Sequence, residues 1–350
     1  TLSLELAMSD LIGLDVGSYA IKLVSLEKKG SNFQIGAIGS AYNPAGQFMP
    51  LVEAQITQLA TTIKNIVAEH KLSGKLVSIG LPEAEAFTSI VSMPSLTDAE
   101  LASAVQWEAE QHLPVSLEAV NLEYSVVYRP SKDIEGAKMK VLLAAVKKDV
   151  VDKVVNLLAL AGLEVASLET SLLAVARSVV HEVSAVEGSV LVCHFGALST
   201  DISVLESGVI TLTHSVPTGG LALTRAIERG LGLQPSQAEE YKRTYGLSPD
   251  QLEGKVSSVL LPVFNSIIVE IRKTAQYFQS EGSHAPLRGI LLTGGGAYLP
   301  GLVAYLAKSF PIEISISNPF KRVVGAENLR LPKETASFST AMGLAMKELE

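Results

Sequence analysis

Two stretches of the chain share one pattern of apolar and polar positions. Leu11 to Glu27 reads LIGLDVGSYAIKLVSLE, an apolar run, a polar break at Gly17, and a second apolar run. Val190 to Asp201 reads VLVCHFGALSTD and repeats the shape. At a fixed offset Asp15 falls on His194, Gly17 on Gly196, and Leu26 with Glu27 on Leu205 with Glu206, and each segment soon reaches a glycine turn, Gly30 or Gly208. Both predict strand, tight turn, strand and hairpin turn. After the first, apolar residues at helical spacing predict a helix over 51–70, then the strand KLVSIGLP. After the second come a predicted helix over 221–230, a helical pair over 237–245 and 255–279, and the strand GILLTGG.

The stretch between the halves follows another rhythm. A strand over 88–94 precedes a capping box, Thr97 with Glu100, that opens a helix through His112. Strands over 120–128 and 138–146 flank the charged loop PSKDIEGAK, a helix over 149–161 ends at Gly162, and the strand LEVASLE follows. This βαββαβ order reads as a small α+β subdomain inserted into the first of two lobes.

Composition narrows the classes. With 350 residues, two or more lobes are expected, and 47% hydrophobic against 18% charged residues describes a packed globular chain. A net charge of −8 without clustered Lys and Arg argues against nucleic acid as a partner. The lone Cys193 excludes an intrachain disulfide and a cysteine-built zinc site. The six histidines, His70, His112, His181, His194, His214 and His284, show no metal spacing. No run of eighteen uncharged apolar residues occurs, so no transmembrane segment is expected. Thr1 to Asp10 read as a tag or processing remnant, with an extra edge strand as the alternative.

Three glycine-bearing turns carry the candidate chemistry. In LIGLDVGSYAIK, Gly17 lets the amides of Ser18 and Tyr19 point at an anion, Asp15 is placed to meet a Mg²⁺ through water, and Lys22 to reach a phosphate. An ordinary hairpin turn with a surface lysine explains the same residues. In GILLTGGGAYLPGL, Gly294, Gly295 and Gly296, then Ala297, let a flat ligand lie against bare backbone ahead of a helix predicted from Pro300. Gly219 and Gly220 precede another helix, and Glu239 with Lys242 lie three apart on one helical face, either for sugar hydroxyls or as a plain ion pair.

The order of these segments resembles the actin-like ATPase superfamily, and VQWEAEQHLPVSLEAVNLEYSVV, YKRTYGL and ISNPFKRV resemble the PilM family of type IV pilus assembly proteins in its FtsA-like branch. The resemblance implies an α/β, two-lobed, ribonuclease H-like fold. Its first lobe would take 11–82, 168–187 and 335–350, its inserted subdomain 83–167, its second lobe 188–224 and 288–334, and a helical subdomain 225–287. It implies ATP or ADP on Asp15, Gly17, Ser18, Tyr19 and Lys22, on Gly196 and Ala197, on Gly219 and Gly220, and on Gly294 to Ala297, with Glu239 and Lys242 beside the ribose. Glu169 would be the catalytic carboxylate that positions water, unless it simply caps the following helix. The implied protein is a cytoplasmic adaptor, peripheral on the inner membrane, that binds the N-terminal segment of the membrane protein PilN. An active ATPase, a small-molecule kinase and an FtsA-like filament former are the alternatives; FtsA would continue into a basic amphipathic helix where this chain reads KELE. One departure stands out, because the superfamily's second hairpin begins with aspartate where this chain has His194. Magnesium and hydrolysis are the parts of the inheritance that this change puts in question.

Overall fold

A computed structural model describes residues 11–72, 74–113, 115–130, 138–280, 285–347 and 349; the N-terminal stretch read as a remnant or edge strand, His284 and most of the loop PSKDIEGAK lie outside them. The chain opens with β1 (Ile12–Val16), β2 (Ala20–Lys29), β3 (Asn32–Tyr42), helix α1 (Glu53–Glu69) and β4 (Leu76–Leu81). Then come β5 (Ala86–Pro94), α2 (Asp98–His112), β6 (Val120–Tyr128), β7 (Lys138–Lys147), α3 (Lys148–Leu160), β8 (Glu164–Thr170) and α4 (Ser171–Val183). The second half runs β9 (Ser189–Phe195), β10 (Thr200–Glu206), β11 (Val209–Val216), α5 (Gly220–Leu231), α6 (Pro235–Tyr245) and α7 (Lys255–Ser280), then β12 (Leu287–Thr293), α8 (Leu302–Ser309), β13 (Glu313–Ile316) and α9 (Ser339–Met346).

The duplication read from the hydrophobic pattern is a duplication of sheets. One five-stranded sheet has the order β3-β2-β1-β4-β8, the other β11-β10-β9-β12-β13. In each, two antiparallel strands stand on one side of the first strand and two parallel strands on the other. The registers match as well: Asp15 lies opposite Lys22, and His194 opposite Asp201. Cross-strand partners share a sheet face, so the second hairpin carries its carboxylate one strand over from where the first carries its own.

The run expected as one inserted unit divides. β5, β7 and β6 form their own antiparallel sheet, covered by α2, whose capping box at Thr97 and Glu100 is present. The next helix and strand belong to the first lobe: β8 pairs with β4, and Val150, Val154, Leu157 and Leu158 of α3 join the core of Ile12, Leu59 and Ile63. The inserted strand β5 also reaches the second lobe, where Ile90 packs against the cluster of α4, β9 and β10.

By length and composition Leu252–Ser280 would pass for a membrane-crossing helix. Its Leu260, Phe264, Ile267, Ile271 and Phe278 instead fill the second lobe's core. Between the lobes α9 is buried on every side and crosses α4 at Gly343, where backbone meets backbone.

Candidate functional site

Both hairpins and the glycine turn converge on a cavity of about 610 Å³ between the lobes. Asp15, Gly17, Ser18, Tyr19 and Lys22 line it from the first hairpin, and His194, Gly196 and Ala197 from the second. Gly219, Gly220, Glu239, Lys242 and Gly294 to Gly296 add to the polar lining, while Leu223, Phe264, Ile267 and Leu299 from the second lobe's core and Phe338 from the first lobe's add apolar surface. A cavity lined by both apolar side chains and glycine turns suits a flat ring carrying an anionic tail.

The first hairpin turns where Gly17 N–H donates to Ala20 O at 3.1 Å. Asn43, fully buried, braces that turn by donating from Nδ2 to Gly17 O at 2.9 Å, and its own N–H bonds Tyr19 O at 3.0 Å. Lys22 Nζ stands 3.6 Å from Asp15 Oδ2. Burial raises the Asp15 pKa above the ordinary carboxylate range, and the lysine opposes that rise.

His194 lies beside this pair across the cleft, with Nδ1 2.9 Å from Thr293 Oγ1. Burial first, and the charge of Lys22 second, lower its pKa to about 4. The imidazole is therefore neutral at physiological pH and does not repel a cation.

The glycines divide by what a side chain would meet. At Gly219 a Cβ would fall 2.7 Å from Gly196 O, because the start of α5 is bolted to the second hairpin through Gly220 N to Gly196 O and Leu221 N to Ala197 O, both 2.9 Å. The close approach expected there for a ligand is made by protein backbone. Gly294, at φ +79°, sits 2.5 Å from Phe195 O by the same measure, and Gly296 2.7 Å from the Phe195 side chain. A Cβ on Gly295 meets nothing within 4 Å. Ala297, expected in the site, is buried in the core, and a 3₁₀ turn over Gly295–Tyr298 precedes α8, which starts at Leu302 rather than Pro300.

Glu239 and Lys242 face the cleft as one unit. Lys242 Nζ donates to Glu239 Oε2 at 2.6 Å, Thr224 Oγ1 at 2.9 Å and Gly220 O at 3.0 Å, so the pair also ties α6 to the start of α5. Glu169 is not brought to the cavity. Its carboxylate is gripped by Arg177 at 2.5 and 2.8 Å, and the cap of α4 is Thr170, which accepts from Leu173 N–H.

Sequence reading missed several wall residues. Arg243 follows Lys242 directly, and its Nη2 meets Glu334 Oε1 at 2.6 Å over the cavity rim. Glu334, Ser337 and Phe338 arrive from a distant segment, where no local pattern announces them.

Comparison with known proteins agrees with this architecture. The family model for type IV pilus assembly protein PilM matches residues 13–349. A chain of the PilM-PilN type IV pilus biogenesis complex is 26% identical, with a TM-score of 0.85 over 97% of this chain and 99% of that one. Cell division protein FtsA of Escherichia coli strain K12 is 26% identical over 260 residues, 65% of this chain and 61% of that protein, so the matched region spans about three fifths of its length. MreB5 of Spiroplasma citri, in a structure bound to AMPPNP, is 14% identical with a TM-score of 0.53, a likeness of fold. The fold is the two-lobed actin-like one.

Proposed function

The chain belongs to the family of type IV pilus assembly protein PilM, and from that premise we propose that it is a nucleotide-binding adaptor which holds the N-terminal cytoplasmic segment of a PilN-like membrane protein. It would bind ATP or ADP in the interlobe cavity and work at the cytoplasmic face of the inner membrane. The observation that carries the nucleotide reading is the cavity wall itself: two duplicated hairpin turns with Gly295 beside them, the one cavity glycine of its turn whose missing side chain leaves open space. The amides of the first turn suit phosphates, Glu239 with Lys242 would serve ribose hydroxyls, and the apolar lining suits a base.

For Mg²⁺ the fit is partial. Among the described residues no three His, Cys, Asp or Glu side chains gather, so a hydrated ion would lean on Asp15 and on the nucleotide's own phosphates. Such an ion neutralises charge in phosphoryl transfer. With His194 neutral and Glu169 committed to Arg177, the geometry supports an adaptor with slow or no turnover. In calorimetry, wild-type affinity for ATP should change less than about threefold when Mg²⁺ is chelated. His194→Asp should widen that gap to tenfold or more, about 1.4 kcal/mol. A wild-type dependence as steep as the variant's overturns this account of His194.

The partner reading draws on the PilM-PilN complex that this chain resembles. A labelled peptide covering the cytoplasmic N-terminus of a PilN-type protein should bind the full chain saturably. Its hydrogen-exchange footprint should fall on the first lobe and the inserted subdomain, between that lobe's sheet and the insertion. No saturable binding, or protection confined to residues beyond 188, sinks the proposal.

A further inference from the structure

One polar cluster outside the cavity is enclosed between the inserted subdomain and the second lobe. Glu83 lies in the turn between β4 and β5, and its carboxyl is enclosed with the hydroxyl of its neighbour Thr88 on β5 beside it. Thr170 and the backbone of Leu172, at the start of α4, stand beside the same carboxyl. From the second lobe Asp201 acts on it. Asp201 Oδ1 accepts from Ser215 Oγ at 2.5 Å and Oδ2 from Ser199 Oγ at 3.1 Å. Next to Asp201 a cavity of about 10 Å³, room for one water, reaches His194 and is walled by Ser171 and Leu172.

No cation acts on either carboxyl among the described residues. His194 is neutral, Lys22 faces His194 and Asp15, and Arg177 of α4 holds Glu169. Burial above all, with the Asp201 charge adding to it, raises the Glu83 pKa to about 7, and burial raises that of Asp201 as well. Two carboxylates enclosed together without a cation cannot both be charged at low cost. A proton on Glu83 removes the repulsion.

The cluster sits where the lobes are joined a second time. Thr213 Oγ1 of β11 donates to Thr88 O at 3.3 Å, and Ile90 is packed into the cluster of α4, β9 and β10. The insertion is thus continuous with the first lobe by chain and docked on the second by contact, so opening the cavity strains this contact. We propose that Glu83 and Asp201 form a protonation-gated latch that ties the inserted subdomain to the second lobe and sets how readily the lobes part. The sign follows from linkage. Protonated Glu83 belongs to the latched state, whose advantage is full below the ordinary glutamate pKa and is lost as pH rises through about 7. The latch does not rest on the nucleotide reading, and its test uses no nucleotide.

The sole cysteine, Cys193, is buried, so cysteines placed at exposed Gln106 on α2 and Lys255 on α7 take spin labels selectively. Distance distributions of the full chain by electron double resonance should show the long-distance population gaining on the short one by about tenfold from pH 6 to pH 8. Glu83→Gln should keep the short distance at both pH values, and Asp201→Asn should shrink the shift. A wild-type distribution unchanged between pH 6 and pH 8 overturns the latch, as does a shift that survives Glu83→Gln. Should Glu83→Gln fail to fold by circular dichroism, Asp201→Asn decides alone: an undiminished shift refutes the proposal.

Discussion

Gly343→Ala should cost more stability than a methyl added at any other described glycine, because the new Cβ would fall 1.7 Å from Ala174 O and 2.4 Å from its carbonyl carbon. The obstacle is backbone of α4, which cannot rotate aside. Moving α4 away is blocked too, since Arg177 Nη1 donates to Gly343 O at 2.8 Å while holding Glu169. On the other face, Gly13 of β1 lies so close that a Cβ there would meet Ala341 O at 2.2 Å, so α9 is clamped between a strand and a helix. Overpacking ordinarily costs about 1–3 kcal/mol. With main chain on both sides the expectation is about 4 kcal/mol, seen as a fall in melting temperature of about 10 °C or as loss of soluble protein. Gly46→Ala is the control: its φ is +66°, nothing stands within 4 Å of the added carbon, and it should cost only the strain, about 1 kcal/mol. Equal losses in the two variants would show that the α4–α9 crossing yields.

The features legible in the sequence were those with a local period. Alternation around Gly17 and Gly196, the capping box at Thr97, and the glycine end of the helix before Leu163 each follow from a few neighbouring residues, and each is found in the structure. The offset that paired Asp15 with His194 was also readable, because a duplicated sheet repeats its register along with its pattern. What stayed hidden depended on distant chain. α3 looked like part of the insertion because it follows β7 directly, yet its apolar stripe of Val150, Val154 and Leu157 fits the first lobe's core. Glu169 carried the right residue type near the right helix, but alternation along β8 turns it to Arg177 and leaves Thr170 to cap. Glu83 gave no signal at all, since its character comes first from burial in the folded chain and then from Asp201, more than a hundred residues away.

The same distinction governs the glycines of the cavity, and it decides which one can test the ligand. Three in a row invite the reading that a ligand needs them all, but Gly294 and Gly296 are required by Phe195, and Gly219 by the second hairpin. Substituting any of these confounds folding with binding. Gly295 is free of that difficulty, because its φ is not positive and a Cβ there points into open space on the cavity wall. Gly295→Leu should therefore melt within about 1 °C of wild type without nucleotide, as surface substitutions do. Its side chain should then occupy the slot that the base of ATP or ADP needs. At a nucleotide concentration a hundred times the dissociation constant, wild type should gain about 2.7 kcal/mol of stability, and the variant should gain none. A variant that keeps the full nucleotide-induced rise would show that the base lies elsewhere. A wild type with no rise for any nucleotide would remove the cavity's proposed ligand, while the pH dependence of the Glu83 latch would stand or fall separately.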